Sequence, residues 1–174
     1  MIAALDVHYD EASPTATAAA VVFESWADDA VPIAEYKAPC SGIQPYEPGE
    51  FFKRELPCLL AVLDKVNEPV SLIVIDGYVS LGDKPGLGLR LWEVLGKKTP
   101  IIGVAKTRFH SADAVEMTRG DSKAPLYVTA VGIEPETAAE HIRKMHGLFR
   151  IPTLLKRVDQ LARDGTEEAT VSAD

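Results

Sequence analysis

The sequence predicts an α/β fold, a mixed β-sheet with antiparallel strands at its N-terminal end and helices on both faces. Three observations predict it. Residues 2–7, 16–24 and 31–37 read as three consecutive strands joined by tight links, Tyr9 to Pro14 and Asp28 to Ala30, as antiparallel hairpins require. From residue 71 onward, apolar strand-like runs alternate with helix-like periodicity. Between these halves, Leu72-Ile73-Val74-Ile75-Asp76 is a continuous apolar run that ends in an acid and passes straight into Gly77. Such a run reads as a strand covered on both faces.

The elements follow in order. The first strand is carried by Ile2-Ala3-Ala4-Leu5, and the second, Ala-Thr-Ala-Ala-Ala-Val-Val-Phe-Glu, is almost wholly apolar. The third alternates roughly, and Pro32 favours an edge position for it because proline cannot donate to a ladder. A Pro/Gly-rich turn spans Pro39 to Gly49. A helix is expected from about Glu50 to Val66, with Phe52, Leu56, Leu59, Leu60 and Leu63 on its apolar stripe. Pro57 would kink that helix or begin a second one. Strand 71–76 leads through a glycine-rich loop to a helix near 87–96, then to strand 100–105, a polar excursion over 107–123 and strand 125–131. Helices are expected at 135–146 and 153–163. The chain has no internal repeat, and one domain is expected over residues 1–163, with 164–174 a polar, disordered tail.

Composition narrows the function classes. With 174 residues, 47% of them hydrophobic, there is enough apolar side chain for a single core. No apolar stretch reaches the roughly 18 residues of a membrane span, and Met1 leads directly into Ile-Ala-Ala-Leu-Asp without a basic leader. A cytoplasmic protein is therefore expected, with Cys40 and Cys58 as free thiols. The formal charge of −8 argues against nucleic-acid binding over the whole surface. Its distribution leaves room for a local interface. Residues 1–36 hold seven acids and no lysine or arginine, whereas Lys84, Arg90, Lys97, Lys98, Lys106 and Arg108 fall in a stretch whose only acid is Glu93. A second basic run, Arg143, Lys144, Arg150, Lys156, Arg157 and Arg163, is interrupted only by Asp159. These runs are either ordinary solvated helix faces or the two walls of a phosphate-binding groove.

Asp6, Glu55 and Asp76 carry the chemistry. Carboxylates at the ends of buried strands need a partner, and a hard divalent cation with oxygen ligands is the usual one. Taken singly, each has a plainer role: Asp6 as a turn cap, Glu55 as a solvated helix residue beside Arg54, and Asp76-Gly77 as a turn pair. Together they can hold Mg²⁺, or Mn²⁺ in its place, for phosphodiester chemistry. The histidines do not suggest a zinc site, since His141 and His146 are five apart rather than four. Trp26 and Trp92 read as packing residues, and no phosphate-cradling P-loop is present.

The ordered segments Ala4-Leu5-Asp6-Val7-His8-Tyr9, Pro45-Tyr46-Glu47-Pro48-Gly49-Glu50-Phe51-Phe52-Lys53-Arg54-Glu55, Ile75-Asp76-Gly77, Pro100-Ile101-Ile102-Gly103-Val104-Ala105-Lys106 and Pro125-Leu126-Tyr127-Val128-Thr129 together resemble the endonuclease V family. The resemblance implies a ribonuclease H-like fold and a metal-dependent nuclease that cuts DNA or RNA 3′ to deaminated bases such as inosine. By the same resemblance, Asp6, Glu55 and Asp76 would bind the metal and Lys106 would contact phosphate. Tyr46, with Pro48, would act as a base-separating wedge, and Gly77 would lie against substrate. The chain departs from the family pattern after the second acid. Where Gly-His-Gly is usual it has Gly77-Tyr78-Val79, and a β-branched residue tolerates positive φ poorly. It has Gly88-Leu89-Arg90 for an alanine–serine–histidine step, no histidine at Val131-Gly132-Ile133, Pro152-Thr153-Leu154-Leu155-Lys156 for Pro-Glu-Pro-Thr-Arg, and no helix before the first strand. Two functions follow, an active nuclease with retained chemistry and altered specificity, or a non-catalytic relative serving as a nucleic-acid-binding or protein-interaction module.

Overall fold

A computed structural model describes residues 1–27, 31–45, 47, 48, 50 and 52–164. The N-terminal apolar run forms β1 (Ile2–Tyr9), which pairs antiparallel with β2 (Thr15–Phe23) from Ile2↔Phe23 to Tyr9↔Ala16. β2 pairs in turn with β3 (Ala34–Ser41). β2 is buried along nearly its whole length because helices cover it on both sides, which is why its sequence does not alternate. The third strand runs later than the expected 31–37. Its limits follow the length of β2, from Val22↔Ala34 to Thr15↔Ser41, so Pro32 precedes the strand and Pro39 lies inside it, at the sheet edge where proline is tolerated. The expected turn at 28–30 and the tail from 165 onward lie outside the described residues.

A single helix, α1 (Phe52–Leu63), runs through Pro57; its missing N–H removes one intrahelical bond without starting a second helix. Then come β4 (Leu72–Asp76), a small ribbon of β5 (Ser80–Leu81) and β6 (Lys84–Pro85), α2 (Leu87–Val94), β7 (Ile101–Ala105), β8 (Val115–Met117), β9 (Leu126–Val131), α3 (Pro135–Lys144) and α4 (Thr153–Arg163). The glycine-rich loop is thus a paired hairpin, and the polar excursion contains a short strand. β8 is three residues long and buries only Met117 fully, too little pattern to stand out in sequence. Proline at the start of α3 and Glu136 in its first turn suit a helix N-terminus.

Among the described residues the main sheet has the order β3-β2-β1-β4-β7-β9-β8. β1, β4 and β7 run parallel at its centre, and antiparallel pairs flank them. This is the mixed α/β sheet expected. One face packs α1 and α2 through Cys58, Leu59, Val62, Leu87 and Leu91. The other packs α3 and α4 through Ala138, Ile142, Leu154, Val158 and Leu161. Cys40 and Cys58 are free thiols, and no helix among the described residues is long and apolar enough to cross a membrane.

Gly103 in β7 is the tightest point of the central strands. A Cβ there would lie 2.5 Å from the Gly77 carbonyl oxygen and 2.8 Å from Thr129 Oγ1. Backbone cannot retreat cheaply, so Gly103→Ala should lower stability in urea unfolding by about 1–3 kcal/mol, the range for overpacked cores.

Candidate active site at the strand ends

The parallel β1–β4 ladder pairs Leu5 with Ile75. Asp6 and Asp76 are the next residue of each strand. By alternation, both point to the face covered by α4, the same side as Ala4 and Val74. Asp159, on α4, lines the same cavity as Asp6, and its charge acts on the Asp6 carboxyl. Lys106, just beyond β7, donates from Nζ to Asp76 Oδ2 at 3.0 Å. These four polar residues share a cavity of about 30 Å³ with Leu5, Val104, Ile151, Leu155 and Val158. It has room for a water-sized group and none for a base.

Glu55 approaches from the opposite layer. Its helix packs with Cys58, Leu59 and Val62 into the core beneath the other sheet face, and Glu55 is only 9% exposed and does not line the acid cavity. It is near enough to feel the others. Burial, followed by the charges of Asp6 and Asp76, pushes its carboxyl up to about 8. Burial, then the charge of Asp76, pushes Asp6 up to about 7, against the backbone N–H of Val7, which donates to Oδ1 at 2.8 Å. Asp159 goes the other way: burial raises it, but Arg163, whose Nε donates to both oxygens at 3.1 and 3.0 Å, holds it below the ordinary carboxylate range. For Lys106, burial favours loss of its proton, but the charge and hydrogen bond of Asp76 outweigh this and raise its pKa.

Such a set suits a hard cation in its donor chemistry. All the acid ligands are oxygen, and two carboxyls are held well above their usual range, by burial first and then by the like charges beside them. Among the described residues no three carboxylate, imidazole or thiol groups stand close enough to cage an ion by themselves. Magnesium does not need such a cage, since it commonly binds one or two carboxylates and completes its shell with water and substrate phosphates.

The other expected site residues are scattered. Pro48 is exposed in the segment before α1 and is not part of the cavity, and Tyr46 lies outside the described residues. Gly77, with φ of 119°, takes the loop's left-handed turn, and its N–H donates to Val104 O at 2.9 Å. Positive φ therefore falls on Gly77 and Val79 avoids it. Val79 is instead a core residue, 2% exposed, whose N–H donates to Thr129 Oγ1 at 2.9 Å and whose carbonyl accepts from the N–H groups of Gly86 and Leu89, both at 3.0 Å. Tyr78 Oη donates to Thr107 O at 2.7 Å and accepts from Phe109 N–H at 2.9 Å.

Sequence reasoning missed Asp159. It appeared as the lone acid in a basic run, and its spacing to Arg163 is that of a solvated i,i+4 pair. The available signal was its place on the inner edge of an apolar stripe, one residue after Val158. Much of the basic run around it is tied up locally: Arg143 and Lys144 share Glu140, and Arg157 pairs with Glu35 through two 2.7 Å bonds. Trp26 packs as expected, stacking on His141 at 4.7 Å and edge-on to Phe23.

A family model described as Endonuclease V matches residues 1–133. The chain is 34% identical to endonuclease V of Streptomyces avermitilis, over 97% of this chain and 82% of that protein, and 30% identical to that of Streptomyces coelicolor, over 99% and 82%. The crystal structure of the Streptomyces avermitilis protein superposes with a TM-score of 0.77 at 31% identity, covering 97% of this chain and 82% of that one. Ciona intestinalis endonuclease V, crystallised with a 24mer DNA containing an inosine followed by a ribo-adenosine, shares the fold at TM-score 0.79 and 18% identity, over 94% and 84%.

Asp6 and Glu55 have folded-state values above their unfolded ones, so the folded protein binds more protons than the unfolded chain between about pH 4 and 8. Their contribution favours folding at acid pH and is lost as pH rises through 7 and 8. In chelator, thermal melts of wild type and Glu55→Gln should show wild type losing ground to the variant steadily from pH 5 to pH 8.5. A constant difference across that range would contradict the assignment.

Proposed function

The chain belongs to the endonuclease V family, and from that premise we propose that it is a divalent-metal-dependent endonuclease hydrolysing phosphodiester bonds in DNA or RNA, 3′ to deaminated bases such as inosine. The observation that carries this reading is the convergence of Asp6, Asp76 and Asp159 with Lys106 at the ends of the parallel strands. Three carboxylates facing one lysine and one arginine are costly to keep together in a fold. A cation site justifies that cost.

Asp6, Asp76 and Asp159 would hold the metal, with Glu55 contributing from the α1 side. Mg²⁺ is the expected ion and Mn²⁺ the alternative. Bound there, it would supply Lewis-acid polarisation of a phosphoryl oxygen. Lys106, on Asp76 without substrate, is placed to turn its ammonium toward a phosphate, where a mobile point charge suits a shifting negative charge. Arg163 fixes the rotamer of Asp159, and the Val7 N–H fixes that of Asp6. The apolar wall of Leu5, Val104, Ile151 and Val158 limits water around these charges and strengthens their interactions.

One observation favours a second reading, a non-catalytic module that binds nucleic acid or protein. The polar groups of Val79 and the hydroxyl of Tyr78 are already engaged within the protein, so the loop after Asp76 has few groups left for reading a base.

Incubation with end-labelled DNA and RNA, each with and without one inosine, in Mg²⁺ and in Mn²⁺, separates the readings. Wild type should cleave at a fixed offset from inosine, EDTA should abolish cleavage, and Asp76→Ala should cut nothing while melting like wild type, because Asp76 is exposed. Lys106→Ala should retain the fold and lose about 10²-fold in kcat, the scale of removing one transition-state charge partner. Folded wild type that cuts no substrate would favour the module.

A further inference from the structure

We propose that the loop tip Leu148–Phe149 is a stacking element for an unpaired base, positioning single-stranded nucleic acid beside the acid cluster. The inference rests on the nuclease reading and adds to it a contact that the cluster cannot supply.

Leu148 and Phe149 are 84% and 75% exposed, the highest values among the described large hydrophobic residues. Single exposed apolar residues are ordinary, but two adjacent ones at one apex form a patch that calls for a partner. Their loop joins α3 to α4, and it is braced. The guanidinium of Arg119, only 6% exposed, donates to the carbonyl oxygens of Met145, Gly147 and Phe149. Gly120, at φ 57°, lies so close beneath the tip that a Cβ would overlap the Leu148 carbonyl oxygen. Thr153 closes the loop, its N–H donating to His146 O at 2.9 Å and its hydroxyl meeting the His146 ring at 2.9 Å. A buried charge and a ring of hydrogen bonds thus hold the backbone firmly while the two apolar side chains project outward. Fixed presentation of an aromatic ring lowers the entropy lost when something stacks on it.

The next two residues connect the tip to the catalytic cluster. Arg150 donates to the carbonyl oxygens of Lys106 and Pro125, and Ile151 lines the acid cavity. Beside the tip lies an open groove of about 630 Å³, bordered by Thr118, Arg143, His146 and Thr153. That is large enough for a nucleotide. Charge selects the occupant. Arg143 and Lys144 share the single carboxylate of Glu140 and Arg150 follows the tip, so the surroundings of the loop keep an excess of positive charge in a chain of net charge −8. A flat apolar face beside cations matches the bases and phosphates of a single strand, where base–aromatic stacking contributes about 1–3 kcal/mol per base.

The test is fluorescence anisotropy with a labelled single-stranded DNA 20-mer and with its duplex, in Ca²⁺, for wild type, Phe149→Ala, Phe149→Tyr and Leu148→Ala, each checked by thermal melting. Phe149→Ala should weaken single-strand binding at least ~5-fold, the lower end of one lost stack, with Phe149→Tyr within ~2-fold of wild type and duplex binding little changed. Phe149→Trp should report the contact directly, its emission quenched by the single strand and not by the duplex. Unchanged single-strand binding by Phe149→Ala would overturn the proposal, as would equal losses for single strand and duplex. So would a variant that merely turns a self-associating protein into a monomer. If wild type cleaves but Phe149→Ala binds and cleaves normally, the stacking role alone falls. If folded wild type neither binds nor cleaves nucleic acid, the nuclease reading falls with it.

Discussion

The parallel pairing of β1 with β4 is the constraint on which the rest of the structure depends. It sets Leu5 against Ile75 and therefore brings two carboxylates, one residue further along each strand, to the same end and the same face of the sheet. A slip by one residue would turn the moved strand over, sending its acid to the opposite face and exchanging the residues that pack against the two helix layers. The backbone ladder thus holds two like charges together, and neighbouring groups must compensate. Lys106 does so at the end of the adjacent parallel strand, and Arg163 does so through Asp159.

Compensation is incomplete, and that incompleteness is informative. Asp6 and Glu55 are buried and held well above the ordinary carboxylate range, while Asp76 remains exposed. Burial and neighbouring charge thus push the carboxyls of Asp6 and Glu55 toward their protonated forms. A divalent ion would compensate the same charge without protons, which ties the energetics of the fold to the chemistry of the site. The family relationship rests on sequence and stands independently of these electrostatics.

Around this centre, departures from the family pattern have been absorbed as packing. Val79 would be strained in a left-handed turn, but Gly77 takes that conformation and Val79 becomes part of the core over Gly88 and Ile75. The loop is stiffened by internal hydrogen bonds, and exposed apolar surface is found instead on the α3–α4 loop, near the same strand ends. Arg150 ties that loop to the strand ends by donating to the carbonyl oxygens of Lys106 and Pro125.

What the sequence alone determined were the features written in local pattern. Continuous apolar runs identified β1 and β4 and marked Asp6 as an acid within the first and Asp76 as the acid that ends the second. The helix expected at 153–163 is α4, and ordered motifs pointed to the family. The boundaries of β3 were not local, since the length of β2 sets them, and three residues of β8 are too few to show a period. Asp159 was decided only by tertiary structure. It stands 153 residues from Asp6 in the chain, and sequence shows it only as the partner of Arg163. It becomes part of the acid cluster because α4 lays its apolar stripe on β1 and β2, bringing the carboxylate beside Asp6. Pattern along a chain reveals which face of an element is buried, whereas which side chains meet across elements depends on the docking of those faces.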